Sequence, residues 1–285
     1  MVTTQQKKRN VEDVTMAGCS LGNIVVGIKG AGEMASGVAW RLWQANIHRI
    51  FMLEIPRPLA VRREVSFCEA LYEDRKDVDG VTASRVEGPD AIAGAWAEGT
   101  IPVLVDPRWE TIGRIGPPVV IDAILAKKNL GTTMQEAPLV IGLGPGFSAG
   151  KDVHIVIETN RGHNLGRLIL SGAAEANTGI PGEIGGYAAE RVLRAPRGGI
   201  FRTVRHIGEM VRRDDTVGDV AGEELRAGID GMIRGLLKEG TEAPQGMKLG
   251  DIDPRGKREY CFTVSDKALA IGGAALEAIL RTYNQ

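Results

Sequence analysis

Residues 24–42 read IVVGIKGAGEMASGVAWRL. A β-branched run stops at Gly30, and a helical pattern starts within a few residues. Ile24–Ile28 is expected as a buried strand, and Ala35–Ala45 as a helix carrying Val38, Trp40, Leu42 and Trp43. Gly30, Gly32 and Ala35 match G-x-G-x-x-G/A. In that pattern the first glycine turns the chain, the second lets a pyrophosphate approach, and a small third residue lets helix touch strand. The pattern also asks for an acid about 20 residues further on, at the end of the second strand. Glu54 stands there, after the apolar run Ile50–Leu53. Strand, turn, helix, strand and acid in this register predict a Rossmann-type unit. They leave the ligand open. Glu33 falls in the first helical turn, where free N–H groups and the helix dipole favour phosphate and a carboxylate repels it.

Further along, Leu59–Tyr72 reads as a helix after Pro58, and Pro89–Glu98 as a short helix stopped by Gly99. Ile101–Val105, Val119–Ile121 and Leu139–Leu143 read as strands, ending at Asp106, Asp122 and the segment GPGF. Short apolar strands separated by helical patterns predict a parallel sheet with helices on both faces, over residues 23–150. Ligands of such sheets bind beyond the carboxyl ends of the strands. Glu54, Asp106 and Asp122 therefore form a candidate acidic rim, suited to a ligand rich in N–H or O–H donors or to a cation. Helix capping and turn duty is the plainer alternative for Asp106 and Asp122.

The fifth strand runs into GLGPGF, with Gly142, Gly144 and Gly146. After an expected strand at Val153–Glu158, the loop NRGHNLGR holds Arg161, His163, Asn164 and Arg167. Donors at this density among glycines suit an anion or heterocycle site, or a pair of solvated turns. Residues 195–220 and 227–252 then align at an offset of 32, pairing Gly199 with Gly231, Arg202 with Arg234, Gly208 with Gly240, Gly218 with Gly250 and Asp219 with Asp251. Such a repeat is one supersecondary unit used twice. It looks like the half-motif of biotinyl/lipoyl-type barrel-sandwich modules. A carrier would need a lysine at the hairpin between the halves, but VAGEELRA (220–227) has none, so neither biotin nor lipoate is expected. The β-rich region is expected over 151–256. Residues 257–285 should form a strand at Tyr260–Val264 and a helix capped by Ser265 that runs to about Leu280.

Among the 285 residues, Lys+Arg (35) nearly balance Asp+Glu (36), so bulk charge favours neither nucleic acid nor an acidic membrane. Residues 1–22 are polar and read as a disordered tail, without the apolar centre of a signal peptide. No apolar run reaches the ~20 residues that cross a bilayer, and a cytoplasmic protein is expected. Cys19, Cys68 and Cys261 lie far apart, with no spacing that suits a metal. There is no nucleophile elbow, P-loop or HExxH. Cys68 and His163 are the weak catalytic candidates. Acidic and apolar neighbours of Cys68 point to a raised thiol pKa.

The segments KGAGEMASGVAWRLWQA (29–45), LEIPRPLAVRREVSFCEALYE (53–73), GLGPGFSAGKDVHIVIETNRGHNLGRL (142–168), NTGIPG (177–182), ERVLRAP (190–196) and KLGDIDPR (248–255) together resemble the YqeB family. Those proteins accompany selenium-dependent molybdenum hydroxylases and look like distant relatives of the XdhC/CoxI maturation factors. The resemblance spans residues 23 to 280. It implies an accessory or maturation role with a hydroxylase subunit or other maturation proteins as partners, and a molybdenum cofactor of the molybdopterin type as ligand. Glu54, Asp106 or Asp122 would then accept from the pterin edge, while the GLGPGF turn, Arg161, His163 and Arg167 would meet its anionic groups. Two other functions compete: an NAD(P)-dependent oxidoreductase resting on Gly30, Gly32, Ala35 and Glu54, and a non-catalytic partner protein docking through its β module. The oligomeric state stays open, a homo-oligomer included.

Overall fold

The computed structural model describes residues 21–177, 179 and 182–284. Most of the expected tail, Cys19 and part of the NTGIPG segment lie outside these residues. The chain opens with β1 (Val26–Lys29), α1 (Glu33–Gln44), β2 (Ile50–Glu54), α2 (Ala70–Glu73), β3 (Arg75–Val78), β4 (Val81–Arg85), α3 (Ile92–Ala97) and β5 (Ile101–Val105). It continues with α4 (Glu110–Ile115), β6 (Val119–Asp122), β7 (Leu139–Leu143), β8 (Ser148–Ala149), β9 (Ile155–Ile157), β10 (Leu168–Ile169) and β11 (Gly172–Ala173). Nine of these strands form one sheet in the order β10-β9-β7-β6-β1-β2-β5-β4-β3. Seven neighbours from β9 to β4 run parallel, and the two edge strands are antiparallel. The sheet therefore carries on past residue 150, through β9 and β10.

Alternate residues of each strand serve opposite faces. Val26, Ile28, Ile50, Met52, Val119, Ile121 and Ile141 pack with α1 on one face. Phe51, Leu53, Leu104, Val120, Val140 and Val156 fill the other. A parallel sheet buried on both faces must read as nearly unbroken apolar runs, and it does.

The rest of the chain is a β module of eight short strands: β12 (Val192–Arg194), β13 (Gly199–Thr203), β14 (Met210–Val211), β15 (Thr216–Val220), β16 (Glu223–Arg226), β17 (Gly231–Leu236), β18 (Glu242–Ala243) and β19 (Lys248–Asp253). It forms two antiparallel sheets, β12-β19-β17-β14 and β16-β15-β13-β18. Shifting the chain by 32 residues turns β12, β13, β14 and β15 into β16, β17, β18 and β19. The same shift maps one sheet onto the other. The internal repeat is thus a structural duplication in which each sheet takes strands from both halves. Its second hairpin glycines coincide in conformation, with φ of +89° at Gly208 and +83° at Gly240.

Two expected elements are corrected. Leu59–Tyr72 is not a helix. It holds 3-10 turns at Arg63–Val65 and Phe67–Glu69, and only α2 is helical. The carbonyl of Val61 accepts from the amide of Leu236 at 2.7 Å, and the Nε of Arg63 donates to the carbonyl of Leu236 at 2.8 Å. Pairing with β17 takes backbone groups that a helix would have used. Tyr260–Val264 is likewise not a strand but the short helix α5 (Glu259–Phe262) followed by extended chain. The carbonyl of Tyr260 accepts from Arg62 at 2.9 Å and from Arg234 at 3.3 Å. The β3–β4 hairpin went unread, although its Asp79-Gly80 turn has positive φ at both positions, the conformation that Asp-Gly favours between paired strands.

The last helix, α6 (Asp266–Tyr283), is capped by Ser265, whose Oγ accepts from the amide of Ala268. It packs on α1 through small residues. A Cβ on Gly272 would stand 2.7 Å from the carbonyl oxygen of Gly37, whereas one on Gly273 would meet nothing within 4 Å. Gly272→Ala should therefore destabilise the protein by about 1–3 kcal/mol through overpacking. Gly273→Ala should be neutral or stabilising by up to ~1 kcal/mol from helix propensity. Urea denaturation of the two variants checks this, and equal effects would refute the close α1–α6 contact.

Candidate functional site

After β1 the chain moves to the β2 side of the sheet, and it returns across β1 to add β6 on the other side. The segments leaving β1 and β6 diverge, which opens a crevice at their carboxyl ends. A cleft of about 980 Å³ lies there. Gly30, Gly32, Glu54, Ile55, Leu125 and Leu130 line it on the sheet side, and Arg191, Arg234 and Asp251 of the β module close it from the opposite side. The glycine turn and an arginine-bearing wall thus share one cavity.

The turn is strongly held. Gly30 has φ of +89°, a conformation that favours glycine, while a Cβ there would only touch the backbone of Ala123 and Ile124 at an ordinary 3.4 Å. The Glu54 carboxylate accepts from the amides of Ala31 at 2.9 Å and Ile55 at 2.8 Å. Burial raises its pKa, and these two bonds oppose the rise. In front of α1, the Glu33 carboxylate accepts from Arg62 Nη1 at 3.2 Å and from Ser265 Oγ at 2.9 Å. A protein carboxylate, tied down by two partners, therefore supplies the negative charge at this helix N-terminus. Gly32 is extended, with φ of −73°, and no atom lies within 4 Å of where its Cβ would be.

Seven basic side chains line the cleft against five acidic ones. Some are spent on structure. Arg161 grips Asp266 with two bonds of 2.7 and 2.9 Å, which hold the Asp266 carboxyl well below the usual range. Arg191 donates to Asp251 at 3.1 Å and to the carbonyl of Gly182 at 3.0 Å. Lys127 and Lys267 have neither hydrogen bond nor salt bridge among the described residues. Desolvation lowers the pKa of both, and at Lys267 the charges of Lys127 and Arg161 lower it further. Arg234, on β17, is 6% exposed. Its Nε donates to the carbonyl of Tyr260 at 3.3 Å and lies 3.7 Å from Asp253. Burial, then the neighbouring Arg62 charge, lowers its pKa.

Of the residues singled out from sequence, Gly30, Gly32, Glu54 and Arg161 line the cleft. Ala35 is buried inside α1. Asp106 accepts from the amide of Thr111 at 2.8 Å and so caps α4. Asp122 is buried, accepting from Thr132 Oγ1 at 2.6 Å and from the amide of Ile124 at 3.2 Å; burial raises its pKa. The same Thr132 accepts from Lys29, whose ammonium also meets Glu136 at 2.7 Å and lies 4.0 Å from the Trp109 ring centre. Lys29 thus fastens the loop between β6 and β7 and does not offset Glu33.

The glycines of GLGPGF serve chain packing. A Cβ at Gly142 would strike Phe147, one at Gly144 Thr159, and one at Gly146 the backbone of Lys128. His163 and Arg167 stand apart from the cleft, in a separate groove of about 430 Å³ beside Leu170 and Glu277. Cys68 is fully buried, and its thiol is pushed well above its ordinary value by burial and then by the charges of Glu54 and Glu69, so it is no thiolate nucleophile. Among the described residues no group of His, Cys, Asp and Glu is placed to hold a metal ion, and no helix is long and apolar enough to cross a membrane.

Sequence reasoning missed Arg62, Lys127, Arg191, Lys248 and Lys267 as lining residues. Arg234 and Asp251 did carry a signal, since both stand at repeated positions, but their direction into the cleft did not follow from it.

No protein-family model matches the chain. Several solved structures are similar over parts or most of it, two of them as follows. The E. coli tRNA N6-threonylcarbamoyladenosine dehydratase TcdA is 12% identical, over 93% of this chain and 90% of its own, at a TM-score of 0.29. A succinylglutamate desuccinylase/aspartoacylase from Rhodobacter sphaeroides is 28% identical over 22% of each chain, at a TM-score of 0.21. Likeness at these scores bears neither on fold nor on activity. Sequence similarity is far stronger to the "Uncharacterized protein YqeB" of Escherichia coli (strain K12), at 46% identity over 264 residues, or 93% of this chain. The match covers 49% of that relative, so the chain spans about half its length. The quoted motifs from the glycine turn to KLGDIDPR fall within one such long alignment's worth of sequence, and the chain belongs to the YqeB family.

Proposed function

We propose that this chain is an accessory factor that holds a phosphorylated heterocyclic cofactor in the cleft, in the service of a selenium-dependent molybdenum hydroxylase. The observation that carries the reading is the meeting, in one cavity, of a glycine turn with free space at Gly32, an apolar wall and two lysines without a hydrogen bond or salt bridge among the described residues. Ile55, Leu59, Leu125 and Leu130 offer a face for a flat ring, and Lys127 and Lys267 offer positive charge that no hydrogen bond or salt bridge ties down among the described residues. Glu54 spends two acceptor positions on backbone amides, and a carboxylate has about four. It can still accept from ring or ribose N–H and O–H groups.

A pterin with a phosphate, the molybdenum cofactor type, fits this donor and acceptor set. When bound, that group would supply the metal chemistry of the hydroxylase, and the chain's residues would bind and orient it. The molybdenum and selenium context comes from the family resemblance, the partner being a hydroxylase subunit or another maturation protein. The strand order around β1 supports a Rossmann-type unit, and the exchanged sheets of the repeat support a biotinyl/lipoyl-like module. With Ala221 and Gly222 at its β15–β16 turn, that module is read as a cleft wall and not as a swinging arm. A nicotinamide dinucleotide is the second reading, favoured by Gly30, Gly32 and Glu54 at the strand ends.

Titrating the purified chain with isolated molybdenum cofactor and, separately, with NADH tests this. Quenching of pterin fluorescence with NADH at least ~10-fold weaker is expected, a gap of about 1.4 kcal/mol. NADH uptake without pterin affinity would replace the reading with the nicotinamide one, and binding of neither would end it. The depressed lysines add a pH dependence. An anion is held while Lys127 and Lys267 are charged, so affinity should decline with rising pH, starting below the ordinary lysine range. Binding isotherms of Lys127→Met/Lys267→Met should be weaker at neutral pH and lack that alkaline decline.

A further inference from the structure

We infer that the anionic group of the cleft's ligand, a phosphoryl or similar tetrahedral oxyanion, seats on Arg234 of the β module and not on the glycine turn before α1. The inference rests on the cleft being a binding site, and it reverses the orientation that the glycine pattern alone suggests.

The turn is already committed. Ala31 gives its amide to Glu54, and the first turn of α1 carries the Glu33 carboxylate, fixed by Arg62 and Ser265. A phosphate arriving there would meet a resident negative charge, which offsets what the helix N-terminus provides.

The opposite wall has the reverse imbalance. Arg62 and Arg234 are both more than nine-tenths buried, and both donate to the single carbonyl of Tyr260. The nearby carboxylates are shared, and Arg234 has only a long contact to one of them, Asp253 at 3.7 Å from its Nε. Glu33 serves Arg62 and Ser265, Asp251 serves Arg191 and Lys248, and Asp253 is gripped by Arg255 at 2.6 and 2.9 Å. Arg62 Nε is buried without a partner. Among the described residues Arg234 forms a hydrogen bond through Nε alone, and its side chain lines the cleft. A largely buried guanidinium whose Nη groups make no hydrogen bond to the described residues, at the wall of a cleft, is free to donate both to a ligand there. A tetrahedral oxyanion accepts them as two parallel N–H···O bonds, the geometry in which arginine excels. The repeat sharpens the point: Arg202, the counterpart of Arg234 in the first half, is exposed on β13. The same position is solvent-facing in one half and cleft-lining in the other.

Calorimetry with inorganic phosphate, adenosine 5′-monophosphate and adenosine tests the seat on four proteins: the unaltered chain, Arg234→Ala, Arg234→Lys and Gly32→Ala. Gly32→Ala is sterically free but fills the space a phosphate would need at the turn. The unaltered chain should bind phosphate and the monophosphate. Arg234→Ala should weaken both at least ~10-fold, since it removes charge-assisted hydrogen bonds to the anion. Arg234→Lys, which keeps the charge without the fork, should fall between, and Gly32→Ala should change neither. If Arg234→Ala melts early, the lysine variant carries the comparison. Loss of phosphate binding in Gly32→Ala with retention in both Arg234 variants would overturn the inference, as would no phosphate binding by the unaltered chain. Phosphate binding without the nucleotide's base adding affinity identifies a free oxyanion as the occupant; gain from the base identifies a monoester. Should pterin uptake fail while phosphate binding stays Arg234-dependent, the cofactor reading falls and the seat stands. Pterin uptake undisturbed in Arg234→Ala gives the opposite result.

Discussion

The guanidinium of Arg62 ties the molecule's three parts together. It sits 95% buried where the parallel sheet, the β module and the final helical segment meet. Nη1 reaches Glu33 at the start of α1, and Nη2 reaches the carbonyls of Tyr260 and Thr263, just before α6. On either side of it, Val61 and Arg63 bond to Leu236 of β17. A buried ion pair of this kind is weak as net stabilisation, because desolvation consumes much of the Coulomb gain, but losing one partner is severe. Its consequence is positional. It fixes how far the β module stands from the strand ends, and so fixes the width of the cleft.

The sheet was legible for a plain physical reason. Strands buried on both faces leave apolar runs such as Ile50–Leu53 and Leu139–Leu143 that need no partner to be recognised, and a glycine turn between strand and helix is a local feature. The segments that defeated the pattern, 59–72 and 260–264, have their backbone bonds made by distant groups: Leu236 in one case, Arg62 and Arg234 in the other. Apolar periodicity cannot register a hydrogen bond from a residue some 170 positions away. The hairpin at Asp79-Gly80 is different, since its turn signal was local and was passed over.

The site divided along the same line. Gly30, Gly32 and Glu54 could be found because strand ends and turns are chain-local. Asp106 and Asp122 occupy equivalent places yet cap a helix and bind Thr132, which only the loops that fold back on them decide. His163 and Arg167 share a short loop with Arg161 but face another groove. Clustering in sequence placed them together; the bidentate hold of Asp266 on Arg161 separates them.

The duplication explains how a symmetric module makes an asymmetric wall. Two sheets built from exchanged strands present equivalent surfaces, and only one can face the carboxyl ends of the large sheet. On that side Arg234 is 6% and Asp251 4% exposed, while Arg202 on the other remains in solvent. The close approach is permitted by Gly235, where a Cβ would lie 2.9 Å from the carbonyl oxygen of Val61. Docking buries one member of the Arg202/Arg234 and Asp219/Asp251 pairs and, in doing so, strips its water. Asp251 recovers partners in Arg191 and Lys248. Arg234 recovers the carbonyl of Tyr260 and a 3.7 Å contact with Asp253, both through Nε, so the place where the duplicated fold meets the sheet is also where an arginine fork lines the cavity.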